Sequence, residues 1–233
     1  MLMSAGLKRA EHKRSEILIA ARACFLREGY SDAGMEVVAR AASVSTATLY
    51  AYFPGKADLF KVVILETVRD IAAPVRESVL TRGDAWTRLL AFTHAYAAFF
   101  ASPLTRAVFR LITAERRRFE TEAEYFLQSA RDELGGAAIS VIQDLVATGE
   151  IVVTKPSWAA GQLMGMIDHV TLILGLSAGD EAETRRPLED IAADAVETFM
   201  ARYAVKSDSP PALRKQPRDA PAVAEPLMDQ ALV

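Results

Sequence analysis

The sequence predicts an all-α protein, with an N-terminal unit of three short helices followed by a larger helical body. Three observations lead there. Apolar residues recur at spacings of three and four through nearly every segment, the period of a helix with one buried face. The breakers Pro74, Gly83, Pro103, Gly149, Pro156, Gly179 and Pro187 fall between these runs. Only Ile151-Val152-Val153 reads as a strand, and three residues do not make a sheet.

The elements follow in order. Ile17, Ala20, Ala21, Cys24 and Phe25 form one apolar face, and Gly29 stands where a C-cap glycine would end the first helix. Met35, Val38, Ala39 and Ala42 line a short second helix. Ala42-Ser43-Val44 is a tight connection, and Ser45 is a good N-cap for a third helix, Thr46 to Tyr52. Pro54-Gly55 stops it, and Lys56-Ala57-Asp58 opens a longer helix carrying Leu59, Phe60, Val63 and Ile64. Further helices are expected near 84–101, 103–118, 121–148, 157–176 and 187–204, with Gly135-Gly136 as an interruption inside the third of these. Segment 206–233 holds five of the ten prolines and reads as a disordered tail.

Composition narrows the function classes. Hydrophobic residues at 51% and charged residues at 24% describe a chain able to bury a core. The single cysteine, Cys24, excludes an internal disulfide and a cysteine-based zinc site. Lys8, Arg9, Lys13 and Arg14 are not followed by an apolar run, so the start is not a signal peptide. Gln162, Asp168 and His169 interrupt the most apolar stretch, Trp158 to Leu176, which reads as a buried helix and not a membrane span. A cytoplasmic protein is expected. Residues 1–56 hold eight Lys/Arg and five Asp/Glu, net +3; residues 57–233 hold 19 and 25, net −6. A basic N-terminal part on an acidic body suggests two parts with different partners.

Two short helices joined by a tight turn make a helix-turn-helix, whose second helix can enter the DNA major groove. Val38, Ala39, Val44, Leu49 and Phe53 would be its buried residues. Thr46, Thr48 and Tyr50 would point elsewhere, toward phosphates and base edges, and Lys56 adds a charge at the next helix start. Lys8, Arg9, Lys13 and Arg14 precede the first helix and read equally as an arm on DNA or as a solvated start.

The run from Met35 to Phe60, with its Thr48-Leu49-Tyr50-x-Tyr52-Phe53-x-x-Lys56 core, resembles the DNA-binding domain of TetR-family transcriptional regulators. The resemblance begins near Arg14 and includes Gly29-Tyr30. It implies a homodimer reading a palindromic double-stranded operator, with Thr46, Ala47 and Tyr50 toward bases and Thr48, Tyr52 and Lys56 toward phosphates. The chain departs from the family at three places: Ala33-Gly34 where a Ser or Thr cap is usual, Ser43 where the turn usually has Gly, and Thr46-Ala47 where a basic residue and Gly are common. If the turn keeps a positive φ, Ser43 costs roughly 1 kcal/mol.

The body resembles the AefR-like class of TetR C-terminal domains through Ala107-Val108-Phe109-Arg110, Glu115 to Phe119, Gly149-Glu150-Ile151 and Pro156 to Ala160, with Glu120 where that class often has Pro. This implies a ligand-sensing and dimerisation domain. The expected division is residues 10–58 for DNA binding, 59–205 for sensing and dimerisation, and 206–233 for the tail. The helices near 157–176 and 187–204, with small residues Ala160, Gly161 and Gly165 on the first, suit a four-helix interface between two subunits, the alternative being that both pack inside one monomer.

The expected function is a repressor released by a small-molecule effector of unknown identity. Candidate effector-binding residues are Phe92, Tyr96, Phe99, Met164 and Asp168, with Phe100, Phe109, Ile112, Phe126 and Ile167 as further walls. An aromatic cluster of this kind is more often plain core. Neighbouring Asp168 and His169 point about 100° apart on a helix and do not converge on a metal, so no metal or cofactor is expected. Arg116-Arg117-Arg118 reads as a solvated charge run. No nucleophile elbow, P-loop or dinucleotide glycine motif is present, which argues against an enzyme. The remaining alternative is a helical binding module that has lost its DNA contacts, distinguished by salt-dependent retention on DNA.

Overall fold

The computed structural model describes residues 2–205, with the side chains of residues 8–205 except 122, 125–127 and 129. The expected tail and the Phe126 wall therefore lie outside the described residues and side chains. Every regular element of the described chain is a helix, and its one β contact is an antiparallel bridge between Ile151 and Ala204.

Helix α1 (Leu2–Asp32), α2 (Met35–Ala41), α3 (Thr46–Tyr52) and the first turns of α4 (Lys56–Ile71) form the N-terminal unit. Gly29 sits at φ 75°, breaking α1 where the sequence places a cap glycine. The basic start corrects the expectation. Lys8, Arg9, Lys13 and Arg14 are on α1 itself, because residues before Ile17 are mostly good helix formers without proline. Arg14 also turns inward, donating to Glu66 of α4 at 2.8 Å and lying 5.8 Å from the Phe53 ring centre.

The N-terminal core gathers Ile17, Ala21, Phe25, Val38, Ala39, Leu49 and Phe53, with Val44 half-buried beside them. It continues up α4 to Val68 and recruits Val108, Leu111, Ile112 and Phe119 from the body. The helix-turn-helix is thus packed onto the body and not tethered to it.

The body consists of α5 (Ala73–Ser78), α6 (Ala85–Ala101), α7 (Pro103–Glu115), α8 (Glu120–Ala130), α9 (Gly136–Ala147), α10 (Pro156–Asp168), α11 (Leu174–Ala178) and α12 (Leu188–Tyr203). Helix α5 was not expected from the sequence; Pro74 sits at its start, where the missing N–H costs nothing. Asp84 caps α6 by accepting from Thr87 N at 2.8 Å. Helix α6 is central and packs against α5, α9, α10 and α12. Two π-helical turns, Arg131–Gly135 and His169–Ile173, interrupt the long runs. The first ends on Gly135, the first residue of the expected break.

The run Pro156–Ala178 is long and apolar enough to cross a membrane by length and composition, at mean hydropathy 1.3. Ala159, Ala160, Leu163 and Ile167 nonetheless pack into the body core, as in a core helix.

One buried charge organises the far side. Arg106 of α7 is 1% exposed and donates to the carbonyls of Gly179 at 3.1 Å, Ala182 at 2.8 Å and Ala101. Its acceptors include the C-terminal ends of α6 and α11, where helix dipoles favour a cation. A Cβ at residue 175 would meet Arg106 Cδ at 2.8 Å, so glycine is needed there.

Candidate nucleic-acid interface

The geometry of α3 begins with the turn before it. The N–H of Ser43 donates to Arg40 O at 3.1 Å and that of Val44 to Ala39 O at 2.9 Å. This is a Schellman ending, and it places residue 43 at φ 55°. Ser43 is the one non-glycine residue at positive φ among the described residues. Ser45 then caps α3, its Oγ accepting from Thr48 N at 3.1 Å. Leu49 and Phe53 are buried, fixing the roll of α3 against α1 and α2.

That roll leaves Thr46, Ala47, Tyr50 and Ala51 exposed, with Tyr50 50% open. The three residues expected toward bases, Thr46, Ala47 and Tyr50, therefore share the outward face. The three expected toward phosphates differ. Thr48 is half-buried, and its hydroxyl pairs with Ser45 Oγ at 2.8 Å. Tyr52 is half-buried against the N-terminal core. Lys56 donates to Ser31 O at 2.8 Å and lies 4.8 Å from the Tyr30 ring centre, so its ammonium is already engaged.

The sequence reading missed the surroundings of Tyr30. Arg118 lies 5.1 Å from the same ring centre and donates to Ser31 Oγ at 3.2 Å. Phe119 packs edge-on to Tyr30 at 4.7 Å. Only the tertiary fold brings residue 118 to residue 31; the Arg run alone carried no such signal.

The expected effector residues occupy the body core. Phe92 and Tyr96 are buried and stacked with ring centres 5.7 Å apart, and Phe99 packs against Phe100 at 4.8 Å. Met164 is half-buried on that core. The Tyr96 hydroxyl donates to Asp168 Oδ1 at 2.7 Å. Burial raises the Asp168 carboxyl above its ordinary range, although the hydrogen bond from Tyr96 opposes this. Burial and the neighbouring Asp168 charge push the Tyr96 phenol far above its usual value.

A separate cavity of about 620 Å³ opens elsewhere, lined by Met166, Val170, Leu174, Ile191, Ala195 and the loop 182–186. None of the five expected effector residues lines it. Among the described residues, no group of three or more His, Cys, Asp or Glu side chains could hold a metal ion.

Residues 17–63 match the family model of bacterial regulatory proteins of the tetR family, and residues 87–205 match that of the AefR-like transcriptional repressor C-terminal domain. The chain belongs to the TetR family. It is a DNA-binding transcriptional regulator, and its family and all-α fold are those of transcription regulators, not of enzymes. The HTH-type transcriptional activator FasR of Mycolicibacterium smegmatis is 35% identical over 89 residues, covering 38% of this chain and 41% of the relative. The match thus spans about two fifths of that curated relative's length. A TetR-family regulator structure from Mesorhizobium loti MAFF303099 aligns at TM-score 0.77 and 27% identity, over 84% of this chain and 99% of that one. The flavonoid-responsive regulator FrrA aligns at TM-score 0.67 and 25% identity, over 84% and 100%.

Proposed function

We propose that this TetR-family regulator acts in the cytoplasm as a homodimeric repressor, holding a palindromic operator until a small molecule bound in the body releases it. The observation that carries the DNA reading is the α3 face. Thr46, Ala47 and Tyr50 are exposed on a helix whose roll is fixed by a cap, a Schellman turn and a buried Leu49. Such a helix presents a constant set of side chains to a major groove. Thr48, Tyr52 and Lys56 are the proposed phosphate contacts, the last by exchanging Ser31 O for a phosphate oxygen.

The dimer reading rests on α10. Gly161 and Gly165 are exposed on one face, and a Cβ at either would meet nothing within 4 Å in its own chain. Two mid-helix glycines each cost about 1 kcal/mol relative to alanine. Close approach of a second subunit's helix accounts for them, and Trp158, Ile173 and Leu174 are exposed on the same run.

Two linked domains, 10–58 and 59–205, separate reading from sensing in this proposal. The effector is placed around Phe92, Tyr96, Phe99, Met164 and Asp168, where one polar pair stands in an apolar core. FrrA, a structure this chain resembles over most of its length, is described as flavonoid-responsive. Repression is favoured over activation because the repressor-class match spans residues 87–205, whereas the match to the activator FasR covers 38% of the chain.

The test is selection of bound fragments from a genomic DNA pool, followed by Tyr50→Ala. A palindromic site is expected, with affinity loss on substitution of about 1–3 kcal/mol and an unchanged melting temperature. Unchanged affinity would remove α3 from the interface.

A further inference from the structure

Between α7 and α8 the chain turns through Arg116, Arg117 and Arg118. Three consecutive cations repel one another and ordinarily spread into solvent. Here the turn is fixed. Arg118 is held by Ser31 Oγ at 3.2 Å, by the Tyr30 ring and by Glu115 at 3.5 Å. Phe119 is buried against Tyr30, and its ring centre lies 5.0 Å from that of Phe60. An aromatic cluster of Phe25, Tyr30, Phe60 and Phe119 therefore locks the turn to α1 and α4.

The place where it is locked matters. Lys56 lies over the same Tyr30 ring and donates to the same Ser31. Lys56 is the first residue of α4, separated from α3 only by Phe53-Pro54-Gly55. The arginine turn thus stands beside the end of the unit that carries α3. Arg116 and Arg117 are exposed, and neither has an ion-pair partner among the described residues. The acidic groups adjoining the turn in sequence are Glu115, already engaged with Arg118, and exposed Glu120; Asp32 and Asp58 flank Ser31 and Lys56. Residues 57–233 carry net −6, so this is a local cationic point on an acidic body.

We propose that Arg116 and Arg117 contact the phosphate backbone beside the bases that α3 reads, so that the body itself grips the duplex. The proposal rests on the DNA-reading role of α3 given above. Guanidinium groups suit phosphate oxygens through paired N–H donors. Helix α7 ends in this turn, and Arg106 in its first turns clasps Ala182 at the rim of the 620 Å³ cavity. One helix therefore joins that rim to the DNA grip. The bland alternative is that Arg116 and Arg117 only complement the C-terminal dipole of α7.

The test measures the affinity of the full chain for a random-sequence duplex and for its selected operator, from about 50 to about 200 mM salt. Each phosphate contact contributes about 0.9 to the slope of log affinity against log salt. The double variant Arg116→Ala/Arg117→Ala is expected to flatten that slope by about 1.8. Over this range the wild type would then lose about tenfold more affinity than the variant. Arg116→Lys/Arg117→Lys keeps the charge and is expected to keep most of the slope. An unchanged slope in the alanine variant overturns the proposal, as does a drop in affinity with no change in slope. A wild type with no salt-dependent DNA binding would overturn the α3 reading and this proposal together. Loss of operator affinity in Tyr50→Ala beside an unchanged slope in the double alanine variant would sink only the assignment to the arginine turn.

Discussion

Ser43→Gly is expected to stabilise the protein. Ser43 sits at φ 55°, and the hydrogen bonds from its own N–H and that of Val44 hold it there. An L-residue in the left-handed region costs roughly 1–2 kcal/mol. Glycine removes that strain but loses about 0.5–1 kcal/mol more backbone entropy on folding. The side chain of Ser43 is exposed and makes no hydrogen bond among the described residues, so little else is lost. The difference is centred on a gain of about 0.75 kcal/mol, within a span of about 0–1.5 kcal/mol. For a chain of this size that raises the melting temperature by about 1–4 °C. The assay is thermal unfolding followed by circular dichroism at one fixed protein concentration. Ser43→Ala keeps the Cβ and the strain, and should melt with the wild type. A glycine variant melting at or below the alanine variant would refute the claim that this turn is strained.

Two other substitutions probe the body. Gly161→Leu should leave the monomer folded, because a Cβ there meets nothing within 4 Å, and should convert dimer to monomer by light scattering. A dimer that persists would move the interface off α10. Asp168→Asn should stabilise the protein at neutral pH. Burial raises the folded Asp168 value, so between the unfolded and folded values the native chain holds the extra proton. Stability then falls as pH rises through that window and stays lowered above it. The asparagine still accepts from Tyr96, so its advantage should vanish below the ordinary carboxylate range. A melting-temperature difference independent of pH would contradict this.

The helix-turn-helix was legible because its signals are local. Periodicity placed Leu49 and Phe53 inward, Ser45 was recognisable as a cap, and Ser43 was recognisable as a misfit in a turn wanting glycine. Each of these depends on residues within five positions of one another. The helix ends followed for the same reason, since proline and glycine act on their own backbone. The start of α1 did not, because four basic residues without an apolar pattern leave helix and arm equally open, and only the ion pair of Arg14 with Glu66 draws part of it inward.

The body's functional detail was illegible for the opposite reason. A lysine or arginine in sequence carries a charge but no direction. Tertiary packing aims Lys56 and Arg118 at one tyrosine 26 and 88 residues before them. It also buries Arg106 against three carbonyls that no spacing rule connects. Apolar periodicity likewise cannot tell a core wall from a cavity wall, since both bury the same residues. Phe92 and Tyr96 are buried and stacked on one another, while the 620 Å³ cavity opens between Met166, Leu174 and Ala195. By itself the sequence determined most of the helices, their inward faces and the reading unit, all set by short-range geometry. Which charges meet, which glycines remain uncovered and where the body is hollow were decided only when distant helices packed.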